Sequence, residues 1–450
     1  MVRPGGVLEI MDELVFNVLI GNSYDAIWKV LKWSQGEPDV AYQLRPPTKA
    51  DPRWLKRGAA IWREWRERSL ARLKSKIRYV VFADISAFYE NLDLGKLQSE
   101  LNAVGMDSEA LNLLMKCLWR WAQPHGKGIP QGYSASDILA KLYVNSVDMA
   151  LRNAGFDHLR YVDDVRIFCK NRLEAKRALL KLNELLRNRG LNLQTAKTRI
   201  LAADEARSKI DGVTPIITSV QDQLAEQLDL GPYATAAEVS SALKAHPDKA
   251  PVEVLEQAFL EGFVESTPDK FDPSLFHYLL NRLGGSGSKV AMPYCLDALA
   301  SRPDETEYIL RYLMSIGPTA KERAAVLKYA GSAEAIYDYQ LYQIVRWFSE
   351  QTKYPARLIK LCRTWAFDKN RAPWLRSYSM AVLGIAGDPS DLKNIESAYP
   401  SASGEVEQAE IVEALAKMEK GQRNAFYAKV KGDGELVRRA VDRVKSEAPE

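Results

Sequence analysis

A chain of 450 residues is longer than a single hydrophobic core usually serves, so the sequence predicts two or three domains. Hydrophobic residues make up 46% and charged residues 27%, which excludes a disordered or fibrous chain and indicates an ordinary globular protein. The formal net charge of +4 is too small to indicate a nucleic-acid partner on its own, so the distribution of charge matters more than its sum.

Residues 1–78 predict a helical N-terminal region with a strongly basic segment. Prolines within 46–52 separate an early helix from a second helix, predicted over 53–76. Between Ala41 and Arg78 the sequence has twelve Lys or Arg residues against three acids. Apolar residues recur at helical spacing in the second helix and arginines fill the positions between them, so one face should pack and the other should meet solvent or phosphate.

Residues 79–205 alternate strand and helix patterns, which predicts an α+β arrangement of strands with helices behind them. Residues 79–85 are a nearly continuous apolar run, typical of a buried strand, and Asp84 lies at the end of this run. Residues 159–168 predict a β-hairpin with Asp163–Asp164 at its turn. Helices are predicted over 94–104, 111–121, 134–153 and 173–189.

Over residues 206–450 the strand patterns nearly vanish, and amphipathic helices alternate with short turns. The clearest unit is a small-residue helix that begins at Trp374 and ends at residues 387–389, followed by helices predicted over 391–399 and 405–418. Helix pairs of this kind bury their faces only against their neighbours. The section therefore predicts an all-α domain, with a thumb-like part and HEAT-like repeats, and an irregular helical domain is the alternative.

The cysteines and the lengths of the hydrophobic runs indicate the cellular compartment of the protein. The four cysteines form no CxxC pair, which argues against a zinc site or a disulfide framework and fits a reducing compartment. No run approaches the roughly 18 apolar residues that a membrane span requires, and the first residues lack the basic-then-apolar pattern of a signal peptide. We therefore expect a cytoplasmic protein without a membrane partner.

Two carboxylate positions, Asp84 and Asp163–Asp164, carry the candidate chemistry. Each lies at the end of an apolar strand, and because unpaired buried carboxylates are costly, a divalent cation is a natural partner. Two such ions can activate an attacking 3′-hydroxyl and stabilise a departing pyrophosphate. Magnesium needs only a few carboxylates, together with phosphate oxygens and water. The alternative is that the pair is a solvated turn, as Asp-Asp dipeptides commonly are.

Four segments, in this order, resemble motifs of the reverse transcriptase family. Residues Phe82–Tyr89 are similar to its first catalytic motif, an aspartate followed five places on by an aromatic residue. Residues Gly128–Ser136 resemble the Pro-Gln-Gly motif that precedes a helix, Tyr161–Asp164 the metal-binding hairpin, and Gly190–Thr198 the motif that follows it. The resemblance covers roughly residues 77–201 and implies a right-hand polymerase fold with fingers and palm.

The resemblance also implies a role for the motif residues. Asp84 and Asp163 would ligate two Mg²⁺ or Mn²⁺ ions, with Asp164 as a weaker or structural acid. The carbonyl of Ile85 would be a further ligand. Tyr89 would lie beneath the sugar of the incoming nucleotide and exclude a 2′-hydroxyl, which favours DNA synthesis, and simple core packing is the alternative for this ring.

Further residues are implied for the nucleotide and for phosphate. Gln131 and Gly132 would position the template nucleotide and the nascent pair, because glycine permits a close approach of the backbone. Lys197 would neutralise or protonate the departing pyrophosphate, although a lone lysine is more often a surface charge. Possible contacts to triphosphate or nucleic acid are Arg66, Lys74 and Arg78.

A helical region behind the palm most resembles the bacterial abortive-infection and defence-associated reverse transcriptases. This implies an RNA-directed DNA polymerase in antiphage defence that copies an RNA template, such as a dedicated non-coding RNA, into a DNA product from dNTPs. Two alternatives stay open: template-independent synthesis primed by a protein hydroxyl, with Tyr337, Tyr339 and Tyr342 as candidates, and a catalytically inactive RNA-binding scaffold. The helical region could also mediate homo-oligomerisation.

Overall fold

The structure is a computed structural model that divides into two compact units, residues 3–212 and essentially residues 213–450. The residues it describes are 8–45, 48, 53–56, 59–73, 76–122, 126–212, 216, 252–267, 271–351 and 354–447. Pro46, Pro47 and Pro52, which were expected to break a helix, lie outside this range. The two units differ in charge. Residues 1–212 contain 34 Lys or Arg against 25 Asp or Glu, and residues 213–450 contain 28 against 33.

The N-terminal unit combines helices with one main sheet. Its described helices are α1 (Ile10–Asn22), α2 (Tyr24–Leu31), α3 (Ala59–Arg72), α4 (Leu94–Ala103), α5 (Ser108–Trp121), α6 (Ser134–Asn153), α7 (Arg172–Asn188) and α8 (Ala203–Asp211). Its described strands are β1 (Gln43–Leu44), β2 (Leu55–Lys56), β3 (Tyr79–Asp84), β4 (Asp157–Tyr161), β5 (Asp164–Cys169) and β6 (Arg199–Ala202). The side chains of Asp93, Asp107 and Asn171 accept hydrogen bonds from first-turn amides and so begin α4, α5 and α7.

The main sheet has the strand order β4-β5-β3-β6, with every pair antiparallel. The predicted hairpin over 159–168 is present as β4 and β5, and the predicted buried strand as β3. Strand β6 was not predicted from the sequence. The helix predicted over 53–76 is wrong at its start, because residues 55–56 pair with β1 and the helix begins only at Ala59.

Alternation along β3 and β5 places apolar side chains on both faces of this sheet. On one face Val81, Ala83 and Ile167 join the core formed with α6, α7 and the other helices. On the opposite face Val80 and Phe82 join a smaller core that includes residues of α3 and α8. A fully buried side chain of this size contributes roughly 1.5–3 kcal/mol. Helices therefore cover both faces of the sheet. A functional site is expected at the edge where β3 ends and β5 begins, since both strands carry acids there.

All the regular secondary structure in the described residues of the C-terminal unit is helical. Its helices are α9 (Val252–Phe259), α10 (Pro273–Gly285), α11 (Met292–Ser301), α12 (Thr306–Ser315), α13 (Ala320–Ala330), α14 (Asp338–Ser349), α15 (Ala356–Ala366), α16 (Pro373–Ala386), α17 (Pro389–Ala398), α18 (Glu405–Ala414), α19 (Lys420–Val430) and α20 (Glu435–Glu447). Within the described residues, none of the helices of either unit combines the length and the hydrophobicity needed to cross a bilayer.

Alternate helices of the C-terminal unit pack in series. Helix α10 contacts α12, α12 contacts α14, and the series continues through α16 and α18 to α20. Small residues permit this spacing at two of the contacts. A Cβ atom on Gly384 of α16 would lie 2.0 Å from the carbonyl oxygen of Ala414 on α18, and one on Gly284 would lie 2.2 Å from Oγ of Ser315. These helices therefore approach each other too closely for any larger side chain.

Candidate active site

Three acidic residues meet at one edge of the main sheet. Asp84 is the last residue of β3 and lies directly opposite Asp164, the first residue of β5. Directly opposed side chains of antiparallel strands have Cβ atoms roughly 4.5–5.5 Å apart. Asp163 comes immediately before β5, and its carbonyl oxygen accepts a hydrogen bond of 3.0 Å from the amide of Ile85. The carboxylates that the sequence indicated are thus brought together by strand pairing.

The hairpin that carries Asp163 turns through an uncommon backbone conformation. Tyr161 pairs with Asp164 across β4 and β5, which leaves Val162 and Asp163 as a two-residue loop. Val162 has a φ of +57°, which is suited to the first central position of a tight hairpin turn but is strained for a β-branched residue.

Two further strained residues adjoin this edge. In the described residues, the only other non-glycine residues with positive φ are Tyr42 (+40°) and Ala87 (+45°). The ring centroid of Tyr42 lies 6.3 Å from that of Tyr161 in the hairpin, and Ala87 is three residues after Asp84. Strain that collects at one place and is held by its surroundings is characteristic of functional sites.

Tyr89 is buried beside the acids and is fixed by helix α6. Only 8% of its surface is exposed, and its hydroxyl donates a hydrogen bond to Oδ1 of Asp137. Burial, together with the neighbouring charge of Asp137, raises the pKa of Tyr89 far above its ordinary value, so the phenol stays neutral. The amide of Ile129 donates to the carbonyl of Tyr89 over 3.0 Å, which attaches the Pro-Gln-Gly loop to the same segment.

The loop after α7 is bonded to the end of β3. The amide of Ser86 donates to the carbonyl of Asn192, and the amide of Gln194 donates to the carbonyl of Asp84, each over 2.8 Å. This arrangement brings Nζ of Lys197 within 2.9 Å of Oδ2 of Asp84. Lys197 thus forms an ion pair with one of the acids, and its contact with pyrophosphate stays a prediction.

The charges at this edge perturb Asp164. Burial of the carboxyl among the surrounding atoms and the charges of Asp163 and Asp84 raise its pKa from 3.8 to about 6, although Lys197 and Arg166 oppose the shift. Burial and the two neighbouring negative charges both disfavour the anionic form of Asp164, and a bound cation would favour it. The edge therefore has the electrostatic character of a cation site.

Gln131 and Gly132 lie immediately before the N-terminus of α6. Gly132 has a φ of +106°, a conformation that other residues rarely adopt, and a Cβ atom there would meet no heavy atom within 4 Å. The backbone at this point is therefore open to an approaching ligand. Gln131 is half-buried. Their contact with a template nucleotide stays a prediction.

The sequence of residues 26–229 matches the family described as reverse transcriptase (RNA-dependent DNA polymerase). This segment resembles a reverse transcriptase domain. It contains all three acids, Tyr89, Gln131, Gly132 and Lys197. No curated protein matches the chain.

Among solved structures, the chain is similar to telomerases from two Candida species. The telomerase from Candida tropicalis in complex with a TWJ fragment of telomeric RNA is 13% identical, with a TM-score of 0.31, over 74% of this chain and 56% of that chain. The corresponding complex from Candida albicans is 12% identical, with a TM-score of 0.27, over 76% of this chain and 56% of that chain. The apo telomerase from Candida tropicalis is 14% identical, with a TM-score of 0.31, over 81% of this chain and 61% of that chain. The chain spans less than two thirds of those telomerase chains, and TM-scores of this size carry no argument about it.

The matched segment offers carboxylates that suit an open magnesium site. Among the residues that the structure describes, no three His, Cys, Asp or Glu side chains form a ready-made cage for a metal ion. Magnesium is commonly held by one or two carboxylates and completes its coordination with substrate phosphates and water. The raised pKa of Asp164 between two neighbouring acids fits such a partner. Asp84, Asp163 and Asp164 are the residues that would hold it.

Two of the basic residues predicted to contact phosphate lie in the described part of the matched segment. Arg66 of α3 is half-buried and forms an ion pair with Asp211 of α8. Arg78 precedes β3 at the end opposite to Asp84, roughly 20 Å away at the rise of an extended strand, and its contact with a triphosphate stays a prediction. Lys74 lies outside the described residues.

Sequence reasoning missed a row of arginines next to the acids. Phe82 of β3 pairs with Arg166 of β5 on one side and with Arg199 of β6 on the other. The guanidinium of Arg166 lies 3.4 Å from the ring centroid of Trp65, and it donates to Oγ of Ser69 over 2.8 Å. Burial lowers the pKa of Arg166 to about 10. Two charged residues at alternate positions of an otherwise apolar strand, Asp164 and Arg166, were the available signal.

Proposed function

We propose that this chain is an RNA-directed DNA polymerase that adds nucleotides to a 3′-hydroxyl with two divalent metal ions. The observation that carries the proposal is the pairing of Asp84 with Asp164 across β3 and β5, with Asp163 tied to Ile85 beside them. Acids on two strand ends that converge on one edge are what a two-ion nucleotidyl transfer requires. The match of residues 26–229 to the reverse transcriptase family supports the same activity.

The residues around the acids would share the work of binding and orientation. Asp84 and Asp163 would hold Mg²⁺ or Mn²⁺, with Asp164 and the carbonyl of Ile85 as additional donors, and the ions would activate the 3′-hydroxyl and stabilise pyrophosphate. The ring of Tyr89 would press against the sugar of the incoming dNTP. Lys197 would exchange its ion pair with Asp84 for the phosphates of the substrate, where positive charge stabilises the transferred group.

Primer extension on the purified full chain tests this proposal. Incorporation of dNTPs on an RNA template with Mg²⁺ or Mn²⁺ is expected, and Asp163→Ala should abolish it. Asp204→Asn is the matched control, because Asp204 is an exposed acid of the same unit in the first turn of α8. An absence of incorporation by the wild-type chain, together with bound RNA, would instead support the scaffold alternative.

We further propose that the C-terminal unit consists of HEAT-like repeats and that the protein acts in the cytoplasm in antiphage defence, copying a non-coding RNA. The serial packing of α10 through α20 supports the first part. The second part rests on the resemblance of the whole arrangement to defence-associated reverse transcriptases. Phage plaque counts on cells that carry the wild-type gene or Asp163→Ala test it. Equal counts would contradict a defence role that depends on polymerisation.

Protein priming is a second candidate for how synthesis begins, and side-chain exposure favours two tyrosines. Tyr337 is 39% exposed and Tyr339 is 56% exposed. Tyr342 is half-buried and packs edge-on against Trp374 and Tyr378, so its hydroxyl is a poorer candidate. DNA that stays with the protein through phenol extraction until protease treatment, and that is lost in a double Tyr→Phe variant at 337 and 339, is expected if they prime. Freely extracted DNA would remove the idea.

Homo-oligomerisation through the helical unit is a remaining proposal from the sequence. Light scattering on the purified chain measures the mass directly, and a monomer at working concentration would contradict it.

A further inference from the structure

A buried network of ionisable side chains lies directly behind the hairpin that carries Asp163. Its members are between 1% and 4% exposed. They come from the segment before β1, from α6 and from β4, and they are Asp39, Lys141, Asp148, His158 and Arg160. Burying a charge is costly unless it is paired and hydrogen-bonded, so such a network needs a reason to persist.

Arg160 is the centre of this network. Its Nη2 lies 2.8 Å from Oδ2 of Asp148 and 2.9 Å from Oδ2 of Asp39, and its Nε lies 3.0 Å from Oδ2 of Asp148. Its remaining nitrogen, Nη1, donates to the carbonyl of Val162 over 3.0 Å. The planar guanidinium thus serves two carboxylates and one backbone carbonyl in a fixed geometry, which a lysine cannot reproduce.

The carbonyl that Arg160 holds belongs to a residue that needs support. Val162 has a positive φ, and a branched side chain disfavours that conformation. The other cation of the network acts in the same way. Nζ of Lys141 forms an ion pair with Asp39 and donates over 2.6 Å to the carbonyl of Ala41, the residue before the strained Tyr42. Each cation therefore holds a carbonyl at or next to a strained residue.

We propose that Arg160 is a positioning residue for polymerisation: its hydrogen bond to Val162, backed by Asp39 and Asp148, holds the turn in the conformation that presents Asp163 to the metal ions. Without this bond Val162 would return to a negative φ, and Asp163, whose carbonyl accepts from the amide of Ile85, would be displaced. This inference rests on the polymerase function proposed above. It adds a residue that touches neither metal nor nucleotide.

Two substitutions separate positioning from simple packing. Arg160→Lys keeps a buried positive charge near the two carboxylates but loses the simultaneous bond to Val162. Because a displacement of about 1 Å can lower a rate roughly 100-fold, kcat for dNTP incorporation should fall on that order while KM for dNTP stays nearly unchanged. Glycine adopts a positive φ without strain, so adding Val162→Gly to Arg160→Lys should raise kcat again by roughly tenfold.

The amide of Ile85 gives a readout that does not depend on polymerase activity. It donates to the carbonyl of Asp163, whereas the next amide, of Ser86, donates to Asn192 in a different segment. In Arg160→Lys the hydrogen exchange of the Ile85 amide should become at least roughly tenfold faster, with the Ser86 amide much less affected. Val162→Gly in the same background should slow the Ile85 amide again.

A matched control is the buried pair of Arg376 with Glu407 in the C-terminal unit, where Nη2 lies 2.7 and 2.6 Å from the two carboxylate oxygens. Arg376→Lys should leave kcat and the exchange of the Ile85 amide unchanged. If Arg160→Lys does not fold, Asp148→Asn loosens the same guanidinium and carries the same expectations, including recovery with Val162→Gly.

The outcomes decide between the two proposals. An unchanged Ile85 amide in Arg160→Lys, or a lost rate that Val162→Gly does not recover, would show that Arg160 is only part of a structural ion pair and would overturn the inference. A wild-type chain without incorporation would refute the polymerase function. In that case the exchange measurements alone would still decide whether Arg160 holds the turn.

Discussion

Replacing Asp164 with Asn should stabilise the protein, and the gain should depend on pH. The pKa of this carboxyl is raised from 3.8 to about 6 in the folded chain, because burial and the charges of Asp163 and Asp84 disfavour its ionised form. A shift of that size corresponds to roughly 3 kcal/mol for a group cut off from solvent. The Asp164 residue as a whole is exposed although neighbouring atoms surround its carboxyl, so screening reduces the expected effect to about 1 kcal/mol at pH 8.

The sign follows from proton linkage. An acid whose pKa is raised by folding contributes its full stabilisation of the folded state below the pKa it has in the unfolded chain. This stabilisation is lost as the pH rises through about 6, the pKa of Asp164 in the folded chain. The gain from Asp164→Asn should therefore be about 0.3 kcal/mol at pH 4.5 and about 1 kcal/mol at pH 8. Urea denaturation in EDTA at both pH values, followed through the β5 amides, measures it. Equal gains at the two pH values, or a loss at pH 8, would refute the reasoning.

Three further outcomes are expected. Tyr89→Ala should lower the preference for dNTPs over rNTPs roughly tenfold or more in primer extension, because it removes the ring proposed to exclude a 2′-hydroxyl, whereas Tyr89→Phe should retain the preference. Gly384→Ala should lower the free energy of unfolding by about 1–3 kcal/mol, because its Cβ would overlap the carbonyl of Ala414; Gly432→Ala, which meets nothing within 4 Å, is the control in thermal melts. EDTA should abolish incorporation, and added Mn²⁺ or Mg²⁺ should restore it; incorporation that persists in EDTA would contradict a metal-dependent reaction.

Local sequence patterns were sufficient to predict the elements that carry the acids. The apolar run that ends at Asp84 and the alternating run on either side of Asp163–Asp164 have the period and the flanking residues of β3, β4 and β5. Strand β6 has four residues, none of them fully buried, and it exists because it pairs with β3. A pattern that weak is decided by tertiary pairing rather than by local preference.

Partners of charged residues were beyond the reach of sequence periodicity. The spacing of arginines in α3 indicated a polar face, but Arg66 on that face is paired with Asp211, which is 145 residues away. Lys197 likewise forms an ion pair with Asp84 across 113 residues. Helical and strand periods report which way a side chain points, and they contain no information about which distant charge it will meet.

The stacking of Arg166 on Trp65 gives the site an optical property of its own. The guanidinium of Arg166 belongs to the strand that begins with Asp164, and it lies 3.4 Å from the centroid of the indole ring. We therefore expect the fluorescence of the indole to respond to a change in the charge held at that end of the sheet. The chain has ten tryptophans, so the difference spectrum between the wild type and Trp65→Phe isolates this one. Its fluorescence would then serve as a titration signal for divalent cations and nucleotides, without label, template or turnover.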